Sequence, residues 1–161
     1  MEPRRDITIT LPYNDIITRA TMLSAFEARE AVAPDGSKNF SGVRITEKDH
    51  TALKAYIKEG ASIIEARLAK NFDIISTITT SSDIETGLQW VLRDETSRRA
   101  DDSSTSLIRA LIEALVCFTL SRWFENKLEG TAKSYSGMFA DLSDSACRII
   151  ITKRKPSRPQ S

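Results

Sequence analysis

Along the first residues, Ile7, Ile9 and Leu11 alternate with Asp6, Thr8 and Thr10, a period of two that predicts a short strand with one buried face. Pro12 ends it. Asn14 or Asp15 is placed to cap a following helix, whose Ile16, Ile17, Ala20, Leu23 and Phe26 keep to one side. That helix fades near Ala31, because Ala33-Pro34-Asp35-Gly36 is a turn sequence and the residues to Arg44 are polar and contain glycine. Thr46 followed three residues on by Asp49 is a capping-box variant. Leu53, Ile57, Ile64 and Leu68 then recur at helical spacing and predict a helix from about Glu47 to Lys70. From Ile84 the period returns to two. Ile84, Thr86, Leu88, Trp90 and Leu92 alternate with Glu85, Gly87, Gln89, Val91 and Arg93, a second strand suited to pair with the first.

Residues 94–103 are dominated by charge, with no apolar side chain larger than alanine, and read as a solvated loop. The Ser-Ser-Thr-Ser run offers a cap for the most apolar segment of the chain, Leu107 to Phe124. A helix of about 26 residues from Ser104 would be about 39 Å long, and its middle is apolar nearly all round, as a central core helix requires. Gly130 is expected to break it. Ala132, Tyr135, Met138, Phe139, Leu142, Ala146 and Ile149 then form the stripe of a last helix packed back as a hairpin. The expected fold is mainly α: a helical bundle of about four helices with a long central helix, a small two-stranded β element and an extended C-terminal arm. Residues 1–151 read as one domain and 152–161 as the arm.

A chain of 161 residues and 18.0 kDa fits one such domain. Hydrophobic residues at 40% and charged ones at 28% exclude collagenous and wholly disordered classes. Basic and acidic residues number 23 and 22, so the whole molecule is not an electrostatic nucleic-acid binder. The charge is nonetheless segregated. The end, TKRKPSRPQS, carries four basic residues and two prolines, and setting it aside leaves 19 basic residues against 22 acidic ones. Cys117 and Cys147 sit inside apolar helical patterns without metal-site spacing and read as small core residues. No signal-like run opens the chain, and Arg109, Glu113 and Arg122 interrupt its longest apolar stretch, so neither export nor a membrane span is expected.

Catalytic constellations do not assemble from these residues. The single histidine, His50, falls in the first turn of a helix, where exposure is the expected state. Asp35-Gly36-Ser37-Lys38-Asn39 imitates the start of a calcium loop, but Phe40 stands where the sharp turn needs glycine and Thr46 where a bidentate Glu belongs. Asp101-Asp102, and Asp141 with Asp144 on one helical face, are carboxylate pairs without a histidine near them in sequence, and solvated charge is the expectation. Trp123-Phe124 could stack on bases, yet inside an apolar run beside a helix turn they read as core or interface anchors. No cofactor and no metal are expected, and the chain is read as not an enzyme.

Leu111-Ile112-Glu113-Ala114-Leu115-Val116, Arg122-Trp123-Phe124, Lys127, Gly130, Ala132, Tyr135, Leu142 and Lys153-Arg154-Lys155-Pro156 resemble the head-tail connector (head-completion or adaptor) proteins of tailed bacteriophages and prophages of Bacteroidetes. The resemblance implies a non-enzymatic ring subunit, commonly in twelve copies. It would sit beneath the portal protein in the virion, join downstream tail or connector proteins and continue the channel for DNA, which passes without sequence-specific binding. Such a particle would be assembled in the bacterial host cytoplasm, without a membrane. Carried over by position, docking on the portal or a neighbouring ring falls to Lys153, Arg154, Lys155, Pro156 and Arg158. Trp123, Phe124, Tyr135 and Phe139 would anchor the core or an interface, the first three of them holding the hairpin together.

Two other readings use the same features. A tail-completion or stopper protein would differ only in its neighbouring rings. A small nucleic-acid-binding regulator would place the tail on phosphates, with a log-log salt slope of up to about −3.6 on duplex DNA, but no helix clusters Arg with base-reading polar side chains.

Overall fold

The computed structural model describes residues 5–30, 43–68, 73–80, 87–94 and 103–152. Strand β1 (Arg5–Pro12) runs straight into helix α1 (Tyr13–Glu30), and a short 3-10 turn (Glu47–Asp49) leads into α2 (His50–Leu68). Strands β2 (Asp73–Thr80) and β3 (Gly87–Asp94) precede α3 (Ser103–Phe124) and α4 (Glu129–Thr152). The molecule is a mainly helical bundle with a small antiparallel sheet. The arm residues Lys153, Arg154, Lys155, Pro156 and Arg158 lie outside the described residues, as do the turn at Ala33–Gly36 and the charged segment 95–102. α4 continues to Thr152, the residue at which the arm was expected to begin.

The expected strand pair is present, with Ile9 opposite Trp90 and Leu11 opposite Leu88, and all four side chains are buried. Here the alternation works as a period of two should, placing one side of each strand on the core. β2 adds a third strand on the other edge of β3, so the sheet order is β1-β3-β2. Its pairing is irregular, shifting register between Ile74 and Ser76 and again between Ser76 and Thr79. At the end of the β1–β3 ladder Gly87 lies opposite Pro12, and a Cβ there would run into the Leu11 carbonyl oxygen. Only glycine fits that approach.

α3 is the axis of the bundle, with α1, α2, α4 and β1 all packed on it. Every residue from Ala114 to Leu120 is buried, so no side of its middle faces water. Thr119, the one polar residue of that stretch, satisfies its hydroxyl by donating to the Leu115 carbonyl at 2.7 Å. α2 crosses α3 closely at Gly60, where a Cβ would come within 2.7 Å of the Phe118 ring. The buried core extends from Ile9 to Ala146.

Several expectations are corrected. α3 ends at Phe124, after 22 residues, and the break lies at 125–128, where the Lys127 and Leu128 amides both donate to the Phe124 carbonyl. Gly130 is therefore inside the first turn of α4, not the breaker. Asn14 and Asp15 lie within α1, which follows Pro12 without a capping turn. Phe26 and Met138, assigned to core stripes, are 60% and 48% exposed. Met138 stands about 100° of helical rotation from the centre of its buried face and Phe26 about 135°, so both turn toward the outer side of their helices.

Candidate functional site

The aromatic residues singled out in the sequence lie along the α3–α4 hairpin. Phe124 stacks on Tyr135 across the hairpin at 5.9 Å between ring centroids, and Phe118 meets Phe139 at 4.9 Å in a tilted contact. Phe124, Tyr135, Phe139 and Trp123 are all buried. Phe124, Tyr135 and Phe139 thus join the hairpin internally. Trp123 does something else: its indole N–H donates to the Val43 carbonyl at 2.7 Å, tying the segment before α2 to the end of α3. The same segment is tied to α1, because the Ile45 amide donates to Ser24 Oγ at 3.0 Å while the Ser24 hydroxyl donates to the Thr21 carbonyl. Val43 and Ile45 are buried beneath this clasp. It is followed by the expected Thr46–Asp49 box, where Asp49 Oδ2 accepts from both the Thr46 amide and its hydroxyl.

Lys127 lies with Nζ 3.9 Å from the centroid of the Trp123 ring and donates to the Trp123 carbonyl at 3.2 Å. A cation at this place also offsets the negative end of the α3 dipole. Arg122, one residue before Trp123, faces the other way. Its Nε is 3.5 Å from Glu59 of α2, its Nη1 is 2.9 Å from Glu125, and its guanidinium sits 5.8 Å from the Tyr56 ring centroid. Beside it a groove of about 440 Å³ opens between α3 and α4, lined by Phe118, Arg122, Glu125, Glu129, Ala132 and Lys133. Lys133 faces Glu129 across 3.5 Å, with both side chains more than three-quarters exposed.

A second groove, of about 520 Å³, lies between α1 and the start of α2, over Ile17, Met22 and Ile45 with Arg44, Glu47 and His50 on its rim. His50 is half-buried there, not fully exposed as expected. Asp144 is exposed, as expected, and also pairs with Arg67 at 3.0 Å, which links α4 to α2. Among the described residues no cluster of His, Cys, Asp and Glu is arranged to hold a metal ion. No helix among them is long and apolar enough to cross a membrane.

Burial shifts the ionisable groups of the core. Desolvation pushes the Cys117 thiol up to about 11, with Glu113 adding to the effect and Arg19 opposing it. The Cys117 side chain is buried, as a small core residue should be, and its protonated thiol is a poor nucleophile. Cys147 has no described side chain. Burial also raises Tyr135, and Glu27 on α1 raises it further, because the Tyr135 hydroxyl donates to Glu27 Oε1 at 3.1 Å and a phenolate there would face a carboxylate. Tyr13 is raised by burial, with the Lys54 ammonium 5.5 Å from its ring centroid. Basic and acidic groups nearly balance among the described side chains, so the acidic excess of the body falls on the remaining residues.

Set against protein-family models, curated proteins and solved structures, the chain matches none.

Proposed function

We propose that this protein is a structural subunit of a ring at the head-tail junction of a tailed bacteriophage, joining capsid to tail and carrying a basic arm that holds an adjoining protein, the portal or a neighbouring ring. The observation that supports this reading is the separation of scaffold from arm. The buried core closes between Ile9 and Ala146, and the hairpin is joined by Phe124 on Tyr135 and Phe118 on Phe139, all before the arm begins. Lys153-Arg154-Lys155-Pro156 and Arg158-Pro159 have no large apolar side chain to bury. Prolines at two of these positions reduce the freedom lost when such a segment is ordered on a partner.

A ring subunit needs a rigid body and a contact that repeats from copy to copy. The α3-centred bundle meets the first need, since the middle of α3, Ala114 to Leu120, is covered on all sides by its own chain. Removing residues 153–161 should leave the bundle folded, with an unchanged thermal transition, and should abolish its incorporation beneath the portal when assembled particles are imaged. Particles that still carry the truncated protein at the junction would refute the role of the arm. Full-length protein absent from the junction would refute the ring itself.

A further inference from the structure

We infer that the outer face of α1 docks on the same face of a second copy of this chain, laid antiparallel about a two-fold axis at Met22. Asp15, Thr18, Met22, Phe26 and Arg29 are all exposed, Met22 at 68% and Phe26 at 60%. At about 100° of rotation per residue, the other four stand within about 40° of Met22, so the five form one narrow stripe along the helix. It lies opposite the packed side of α1, which buries Ile16, Ala20 and Ser24. Two large apolar side chains one turn apart on an outer face gain by leaving water. The stripe is also symmetrical in its spacing. Thr18 and Phe26 lie four residues either side of Met22, and Asp15 and Arg29 seven either side, about 10 Å along the axis.

Charge selects the occupant and its direction. Asp15 is in the first turn of α1 and Arg29 in the last, each at the end that its charge favours through the helix dipole. Neither side chain has an ion-pair or hydrogen-bond partner among the described residues, whereas Arg19 is 2.6 Å from Glu113 and Glu27 accepts from Tyr135. Two parallel copies of the stripe would set Asp15 against Asp15 and Arg29 against Arg29. Reversing one of them about Met22 brings Asp15 of each copy to Arg29 of the other, opposes the two dipoles, and places Met22 on Met22 with Phe26 across from Thr18. Positions seven apart drift by about 20° around a straight helix, which a slight crossing of the pair takes up. The stripe thus complements itself. Such a contact closes on two copies and does not propagate. It is separate from any ring contact, does not rest on the ring reading, and belongs to the chain outside the ring. One helix face is small against a standard interface of about 1,600 Å², so the pair forms and parts with concentration.

Sedimentation equilibrium of the full chain measures the association. The mean mass should rise from that of one 18.0 kDa chain toward two as the concentration is raised to about 1 mM. Met22→Glu, which puts two carboxylates at the two-fold axis, should hold the chain as a monomer with its thermal transition unchanged. Asp15→Arg and Arg29→Asp should each weaken association about tenfold, because each sets two like-charge pairs where two opposite pairs stood. An equimolar mixture of these two variants should associate more tightly than either alone, since one then brings only cations to the stripe and the other only anions. That rescue depends on antiparallel register, and a general loss of helix stability would not produce it. A native chain that stays monomeric throughout overturns the inference, as does association untouched by Met22→Glu or a mixture no tighter than its components.

Discussion

α3 and α4 are neighbours of similar length, 22 and 24 residues, yet they hold the chain in different ways. α3 buries all sides of its middle, from Ala114 to Leu120, whereas α4 buries a single stripe through Ala132, Tyr135, Phe139 and Ala146 and presents Met138, Asp141 and Asp144 to solvent. A helix without a polar face has no stable existence apart from the elements that cover it. α3 consequently couples α1, α2, α4 and the sheet into one cooperative unit. The outer side of α4 is free of that duty.

The sharpest way to break the comparison is to remove equivalent bulk from each side of the hairpin. Phe124→Ala deletes a fully buried ring that stacks on Tyr135, and a loss of about 3–5 kcal/mol is expected. Met138→Ala, on the exposed side of α4, should stay within about 0.5 kcal/mol. Urea unfolding of the two variants measures both. Equal losses would mean that α4 is buried on its outer side by an association in solution, and the contrast between the helices would fall.

A smaller effect tests whether the end of α3 also holds the clasp before α2. Trp123→Phe keeps an aromatic ring but removes the indole donor to the buried Val43 carbonyl, at an expected cost of about 1–3 kcal/mol. Amide exchange should show the loss locally, with Ile45, whose amide is held by Ser24 Oγ, becoming faster before residues of α4 do. Uniform acceleration throughout the bundle would instead make Trp123 an ordinary core residue.

What could be read from the amino-acid sequence follows the same division. Period-two alternation around Ile9, Leu11, Leu88 and Trp90 correctly paired β1 with β3, and helical spacing found buried Leu53, Ile57 and Ile64 of α2 and Ala132, Tyr135, Phe139 and Ala146 of α4, because burial on one side leaves a periodic trace. β2 leaves no such trace: Ile74-Ile75 and Thr79-Thr80 interrupt a period of two, and its ladder shifts register twice, though its β-branched residues were a usable signal. The turn was misplaced at Gly130 because glycine is a strong breaker in general, while the chain actually reverses where Lys127 and Leu128 donate to Phe124. The groove draws Phe118 and Arg122 from α3 and Glu129 and Lys133 from α4, and only the pairing of the helices brings them together. Gly60 marked the α2–α3 crossing, but its meaning depended on knowing that Phe118 lies opposite.

A smaller loss than that of the clasp is expected for the bond that ties α4 to α1. Tyr135→Phe keeps the buried ring and its stacking on Phe124 and removes one hydrogen bond to a carboxylate, for an expected loss of about 1 kcal/mol at pH 7. Its pH dependence gives the bond away. Burial and Glu27 hold the Tyr135 hydroxyl protonated above its ordinary value of 10.0, so the native state retains a proton that the unfolded chain releases. That stability is fully present below pH 10 and is lost as pH rises from there toward the raised folded value. Cys117, moved from 9.0 to about 11, contributes an alkaline loss of the same sign in both proteins, so the comparison must be the difference between them. The advantage of the native protein over Tyr135→Phe should shrink when urea unfolding is repeated above pH 10, because only the native protein has a phenol to ionise beside Glu27. A difference unchanged with pH would mean that Tyr135 acts through its ring alone, and the α1–α4 link would reduce to packing.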